Sequence, residues 1–236
     1  YPDQALAGAN EALALSQESF HPFDRSLLFY FAGLLHQLRG EAQSVREHAR
    51  VVIRQASEQG FSLLMSWSLI LHGWALVAEG EAKAGIAQMQ KGLDADQSSG
   101  GLSTRVHHLA FVVEGYARSG EADLALQWIA KAFALIDEQE ERSWEAELHR
   151  LQGELLLSKG QLSEAEACYQ RAIETSRRQN ARSWELRAST SLGRLWCQGG
   201  REREALELVQ SVYAGFTEGF DTRDLRDAKA LLEKLT

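Results

Sequence analysis

Glycine recurs in this chain at a fixed interval, as Gly40, Gly80, Gly120, Gly160 and Gly200. Self-similarity at such a period marks a chain built of stacked supersecondary units, each of which touches only its neighbours. Four more glycines, Gly33, Gly73, Gly153 and Gly193, precede those marks at a constant offset of seven, with Val113 in the remaining place. Small or medium apolar residues follow each mark at three further phases. At offset five come Val45, Gly85, Ala125, Ala165 and Ala205; at nine, Ala49, Met89, Ile129, Tyr169 and Val209; at twelve, Val52, Gly92, Ala132, Ala172 and Val212. Offsets of five, nine and twelve share one face of an α-helix. The tetrapeptide Arg-Ser-Trp-Glu also returns one period later, at 142–145 and 182–185.

Each period has room for two helices. Both prolines of the 236-residue chain, Pro2 and Pro22, lie near its start, so the commonest helix breaker is missing from the rest. The first helices are expected at 24–39, 62–79, 103–118, 143–159 and 183–198, and the second helices at 41–59, 81–97, 121–139, 161–179 and 201–216. The glycine marks then close the first helices in a left-handed conformation and reverse the chain. Glycine inside a helix costs about 1 kcal/mol against alanine, so Gly33, Gly73, Gly153 and Gly193 imply close approach of a neighbouring helix. Residues 1–19 carry Ala5, Ala9 and Ala12 at the second-helix phases and read as half a repeat. Residues 221–236 read as an amphipathic capping helix with Leu225, Ala228, Leu231, Leu232 and Leu235 on one face. The expectation is an all-α fold: a single domain, 1–236, forming a right-handed solenoid of antiparallel helix pairs. Its full repeats are 24–60, 62–97, 103–140, 143–180 and 183–217.

Charge and chemistry narrow the function. Twenty-five Lys and Arg against 33 Asp and Glu leave a net charge of −8, which provides no general field for nucleic acid or anionic lipid. The most apolar stretch, 61–78, is interrupted by Ser62, Ser66, Ser68 and His72, so no membrane span is expected. Cys168 and Cys197 make no disulfide framework and are expected as buried thiols in a reducing, cytoplasmic setting. The sequence lacks a Gly-Lys-Ser/Thr phosphate loop, a Gly-x-Ser-x-Gly elbow and a His-Glu-x-x-His pair. His107 and His108 are adjacent, about 100° apart on a helix, a poor arrangement for sharing a metal. No enzyme activity, cofactor or metal is therefore expected.

The phases resemble the tetratricopeptide repeat, most clearly at Gly153, Gly160, Ala165, Tyr169 and Ala172, although the helices are longer than that 34-residue unit allows. The runs 145–157, 165–169, 183–187 and 216–222 look like the C-terminal repeat region of bacterial multidomain signalling ATPases that carry cyclase or DNA-binding domains. That resemblance, and a chain opening on half a repeat without an initiating methionine, imply an excised C-terminal fragment. It implies a regulatory, non-catalytic domain that binds a protein, a peptide, a small effector or the ATPase and output domains of its parent. A homodimeric scaffold is the alternative. In tetratricopeptide repeats the first helices line a concave face. Carried over, its phases name Leu27, Tyr30, Leu34 and Gln37, then Trp67, Ile70, Trp74 and Val77, then His107, Ala110, Glu114 and Ala117. In the last two full repeats they name Glu147, Arg150, Glu154 and Leu157, then Arg187, Thr190, Arg194 and Cys197. Tyr30, Leu34, Trp67, Ile70, Trp74, His107, Glu114, Glu147, Arg150, Glu154, Arg187 and Arg194 are the candidate partner-contact residues. Core packing is the competing role for Trp67 and Trp74. Glu147 with Arg187, and Glu154 with Arg194, stand one repeat apart with opposite charge, so a ladder of ion pairs across the last two repeats is expected.

Overall fold

A computed structural model describes residues 1–19, 21–99 and 105–236 and, among them, only α-helix and turns. The chain forms two compact units, 1–121 and 122–236. In the first unit, α1 (Pro2–Ser19) is followed by the pairs α2 (Pro22–Arg39) and α3 (Ala42–Gln59), then α4 (Ser62–Ala78) and α5 (Ala82–Ser99), and by α6 (Arg105–Arg118). In the second, α7 (Ala122–Gln139) precedes the pairs α8 (Glu145–Ser158) with α9 (Leu162–Arg178) and α10 (Arg182–Gln198) with α11 (Glu202–Tyr213), and α12 (Arg223–Leu235) ends the chain. The expected repeat start at 103 lies outside the described residues.

Turn chemistry sets this rhythm. Gly40, Gly80, Gly120, Gly160 and Gly200 all have φ between 75° and 97°, a region that costs a side chain bearing Cβ but not glycine. Beyond each mark the next residue bonds back over the helix end, as in Glu41 N–H to His36 O (2.9 Å) and Glu81 N–H to Leu76 O (2.8 Å). This closes the last turn and points the chain backward. Second helices end the same way, at Gly60 (φ 74°), Glu140 (φ 58°) and Asn180 (φ 53°). α11 stops at Tyr213, short of the expected 216. Gly215 follows there, and Phe216 N–H bonds to Tyr213 O at 3.1 Å, a tightened turn in place of a further helical one.

Packing follows the repeat phases. Every residue named above at offsets five, nine and twelve is buried, from Val45, Ala49 and Val52 in α3 to Ala205, Val209 and Val212 in α11. Within the units this buried face lays α3 along α2, α5 along α4, α9 along α8 and α11 along α10. The approach is tightest between α4 and α5. A Cβ on Gly73 would come within 2.6 Å of the Gly85 carbonyl oxygen, and one on Gly92 within 2.6 Å of the Ser66 carbonyl oxygen. Backbone therefore packs on backbone here. At the other end α12 buries Leu225, Ala228 and Leu231 against Leu186, Val209 and Val212 and turns Arg223, Arg226, Lys229 and Glu233 to solvent, the expected polar cap.

Candidate functional site

The first-helix face of the first unit is an aromatic and histidine cluster. Tyr30 and Ile70 are fully buried, and Trp67, Trp74 and His107 nearly so. Tyr30 packs 5.4 Å from Trp67, ring centre to ring centre, and Trp74 lies 6.2 Å from Phe111. Several polar atoms of the cluster find partners inside it, while His108 Nδ1 is buried without a hydrogen bond among the described residues. The Tyr30 hydroxyl stands 3.1 Å from His107 Nε2 and 3.0 Å from His108 Nε2. That oxygen carries one hydrogen, so one imidazole accepts it and the other donates. Trp67 Nε1 donates to Asp96 Oδ1 (2.9 Å), and Trp74 Nε1 to Glu114 Oε2 (2.6 Å), whose other oxygen accepts from Arg118.

Burial decides the protonation of this cluster. It pushes His107 down to about 4 and His108 well below the ordinary histidine value, the latter helped by His107 beside it. It raises the Tyr30 phenol, with the nearby Asp96 adding to the rise. At neutral pH the cluster is therefore a set of uncharged imidazoles and a phenol. Tyr30, Trp67, Ile70, Trp74 and His107 pack between helices. Among the residues expected to meet a partner in this unit, Leu34 and Glu114 are half-exposed.

The equivalent face of the second unit is charged. Arg150 donates from Nε and Nη2 to Glu147 (2.8 and 2.9 Å) and from Nη1 to Glu154 (3.0 Å), all on α8. Arg187 of α10 donates from Nη1 to Glu147 Oε1 at 3.0 Å, the pair expected from the repeat phase. The same guanidinium takes Asp224 of α12 with Nε and Nη2, at 2.9 and 2.7 Å. A continuous chain of charges, Glu154–Arg150–Glu147–Arg187–Asp224, thus crosses α8, α10 and α12. The second expected rung is absent: Glu154 accepts from Ser191 Oγ (2.7 Å), and Arg194 reaches Asp227 of α12 at 3.6 Å. The carboxylates of α12 redirect Arg194, an arrangement that comparing two repeats alone does not anticipate.

Desolvation opposes the charge on Glu147, but Arg150 and Arg187 outweigh it and hold the carboxyl below its usual range. Burial likewise works against the Arg187 charge, and Asp224 and Glu147 overcome it. Trp144 and Trp184, brought together by the duplicated Arg-Ser-Trp-Glu, meet edge to face at 4.9 Å, and the Arg187 guanidinium lies 4.7 Å from the centre of the Trp184 ring. Glu154, Arg150 and Arg194 keep part of their surface in solvent. A cleft of about 560 Å³ opens elsewhere in this unit, lined by Glu145 and His149 of α8 and by Arg171, Glu174, Thr175 and Arg178 of α9.

Sequence reasoning missed the parts played by His108, Asp96, Asp224 and Asp227. Asp96 and His108 had no signal beyond their place on helices, whereas Asp224 and Asp227 stand on the polar side of the capping helix, about one repeat beyond Arg187. Cys168 is buried and Cys197 half-buried, each as a free thiol. Among the described residues no group of three or more His, Cys, Asp or Glu is placed to hold a metal ion, and no helix is long and apolar enough to cross a membrane.

Stacked antiparallel helix pairs with a charged or aromatic first-helix face define a helical-repeat protein. The sequence profile of the tetratricopeptide repeat-like domain matches residues 31–192, and the chain belongs to that family. Among solved structures it is similar to a Rap protein complexed with competence and sporulation factor (TM-score 0.74, 15% identity, covering 96% of this chain and 61% of that one). It is also similar to NprR in complex with its cognate peptide NprX (TM-score 0.71, 16% identity, covering 99% and 66%). A third likeness is BtubC from P. vanneervenii (TM-score 0.61, 14% identity, covering 92% and 94%). The chain thus spans less than two thirds of the Rap protein. No curated protein sequence matches it.

Proposed function

We propose that this chain is a non-catalytic binding module that recognises a protein or peptide segment through the first-helix faces of its repeats. In this reading it serves as the sensor or regulatory part of a larger bacterial signalling ATPase in the cytoplasm. The observation that carries the reading is the charge chain of the second unit: hydrogen bonds to Glu147 and Ser191 hold Arg150 and Glu154 in place with part of each side chain in water, and the exposed Arg194 stands 3.6 Å from Asp227 on the same face. Such a row recognises a segment by charge pattern, with affinity set by which pairs are desolvated on binding. In the first unit Leu34 and Glu114 are the accessible contacts. Complexes of the Rap protein with competence and sporulation factor, and of NprR with NprX, support a peptide partner for this architecture.

A peptide array probed with the whole chain tests the reading. Spots that bind the native chain should weaken at least tenfold when Glu154→Lys and Arg194→Glu are introduced together. Retention of every spot by that variant would remove the first-helix face as the binding surface. Light scattering of the native chain addresses the competing scaffold role, in which a second copy is the partner.

A further inference from the structure

The cleft between α8 and α9, apart from the charge chain, gathers cations that lack counterions. Arg171, Thr175 and Arg178 stand at i, i+4 and i+7 of α9, so they share one helix face, and that face lines the cleft together with His149 of α8. Two other charges of the lining are engaged elsewhere: Arg177 donates to Glu185 (2.6 Å), and Glu145 accepts from Arg142 (3.1 Å). Among the described residues Arg171 makes no side-chain hydrogen bond or ion pair, and the Arg178 guanidinium donates only to Thr175 Oγ1, at 3.1 Å. Glu174 has the spacing to pair with either arginine, yet it is exposed and pairs with neither. Cations in the last turn of a helix offset its dipole, which accounts for Arg177 and Arg178 but not for Arg171, about two turns earlier.

Polar groups inside the cleft are already in place. Thr175 is 3% exposed, and since its oxygen accepts from Arg178, its hydroxyl hydrogen is left for an acceptor in the cleft. The half-buried His149 ring packs 4.7 Å from the Phe133 ring of α7. Burial lowers the His149 imidazole; Glu145 opposes this, and Arg171 and Arg178 lower it further, so both guanidiniums act on the same ring. We propose that this cleft binds a phosphate monoester, with the dianionic phosphoryl group held by Arg171, Arg178 and the Thr175 hydroxyl. Two guanidiniums match its two negative charges, and their planar forks with the hydroxyl supply donors to three terminal oxygens, where a carboxylate offers two oxygens and one charge. The cleft, about 560 Å³, is larger than a phosphoryl group and falls in the range of small-molecule sites, so it has room for the organic remainder. This site goes beyond the first-helix face proposed above for partner recognition, and either can fail without the other.

Calorimetric titration of the whole chain with inorganic phosphate, glycerol phosphate and a short phosphoserine peptide, with acetate as the comparison at equal ionic strength, tests the site. All three phosphates should bind, and acetate about tenfold more weakly. A preference for glycerol phosphate would assign the remaining space to a free phosphorylated small molecule, and a preference for the peptide to a phosphorylated partner chain. Arg171→Gln and Arg178→Gln should each weaken phosphate binding about tenfold, with circular dichroism and Tm at native values because both side chains are exposed. Glu174→Gln should strengthen binding by removing a like charge. Arg203→Gln on α11, whose side chain is 90% exposed, should leave it unchanged. In NMR the His149 ring signal, assigned by its loss in His149→Gln, should titrate at higher pH with phosphate bound, because the dianion offsets Arg171 and Arg178. Absence of phosphate binding, equal binding of acetate, native affinity in both arginine variants, or an equal loss in Arg203→Gln would overturn the site.

Discussion

Removing Arg187 should unsettle the second unit more than any other single change at its charged face. The guanidinium makes three charge-assisted bonds, one to Glu147 and two to Asp224, and the side-chain exposures are 19% for Arg187, 6% for Glu147 and 13% for Asp224. Taking one partner from a buried ion pair costs about 3–5 kcal/mol, because it strands the other charge. Glu147 keeps Arg150, which lowers the figure, whereas the described contacts leave Asp224 with no second cation. Arg187→Met should therefore cost about 3 kcal/mol, a fall of roughly 6–12 °C in Tm for a chain of this size. Glu147→Gln should cost less, about 1–2 kcal/mol, since it leaves Arg187 its two bonds to Asp224. Urea unfolding of the full chain, followed by circular dichroism and by tryptophan fluorescence that includes Trp184 against Arg187, yields the double-mutant cycle. A coupling of about 1–2 kcal/mol is expected; under about 0.5 kcal/mol would mean that the contact carries no energy. The pH dependence has a definite sign. The folded Glu147 carboxyl lies below its ordinary value, so its contribution is complete above the usual carboxylate range and fades as pH falls through the lowered folded value. Measured in strong acid, the coupling should vanish.

The buried histidines set a second pH response. His107 sits at about 4 when folded and near 6.5 unfolded, so stability is complete above about 6.5 and falls by about 2 kcal/mol on going to pH 5. His107→Gln should flatten this part of a urea-midpoint profile. Trp67→Ala and Trp74→Ala should each cost about 3–5 kcal/mol by equilibrium unfolding, and a loss under about 1 kcal/mol at both would contradict their packing between helices. Gly73→Ala should lose about 1–3 kcal/mol, since the new Cβ meets the Gly85 carbonyl and overpacking exceeds the gain in helix propensity; a stabilised variant would show that α4 and α5 can separate freely.

The parts legible in the sequence are those fixed by local geometry. A glycine in the left-handed region is demanded by the chain reversal itself, so Gly40, Gly80, Gly120, Gly160 and Gly200 mark the helix ends without reference to any distant residue. The second-helix positions are equally plain, because Ala165, Tyr169 and Ala172 share one face whatever lies against it. What periodicity cannot state is which neighbour covers a face, and the first helices differ in this respect. Tyr30, Trp67 and Trp74 stand at the phases of Arg150, Glu147 and Glu154, yet packing encloses the aromatic set with Asp96, His107, His108 and Glu114 and leaves the charged set linked along a partly wetted surface. The repeat phase pairs Glu147 with Arg187 correctly, because adjacent first helices keep phase-equivalent residues within reach of long side chains. It misdirects Arg194, whose partner depends on where α12 comes to rest. The fold thus follows from turn conformation and small-residue spacing, which are properties of a few consecutive residues. The site follows from the relative placement of helices a full repeat apart in the chain, which only the packed tertiary structure fixes.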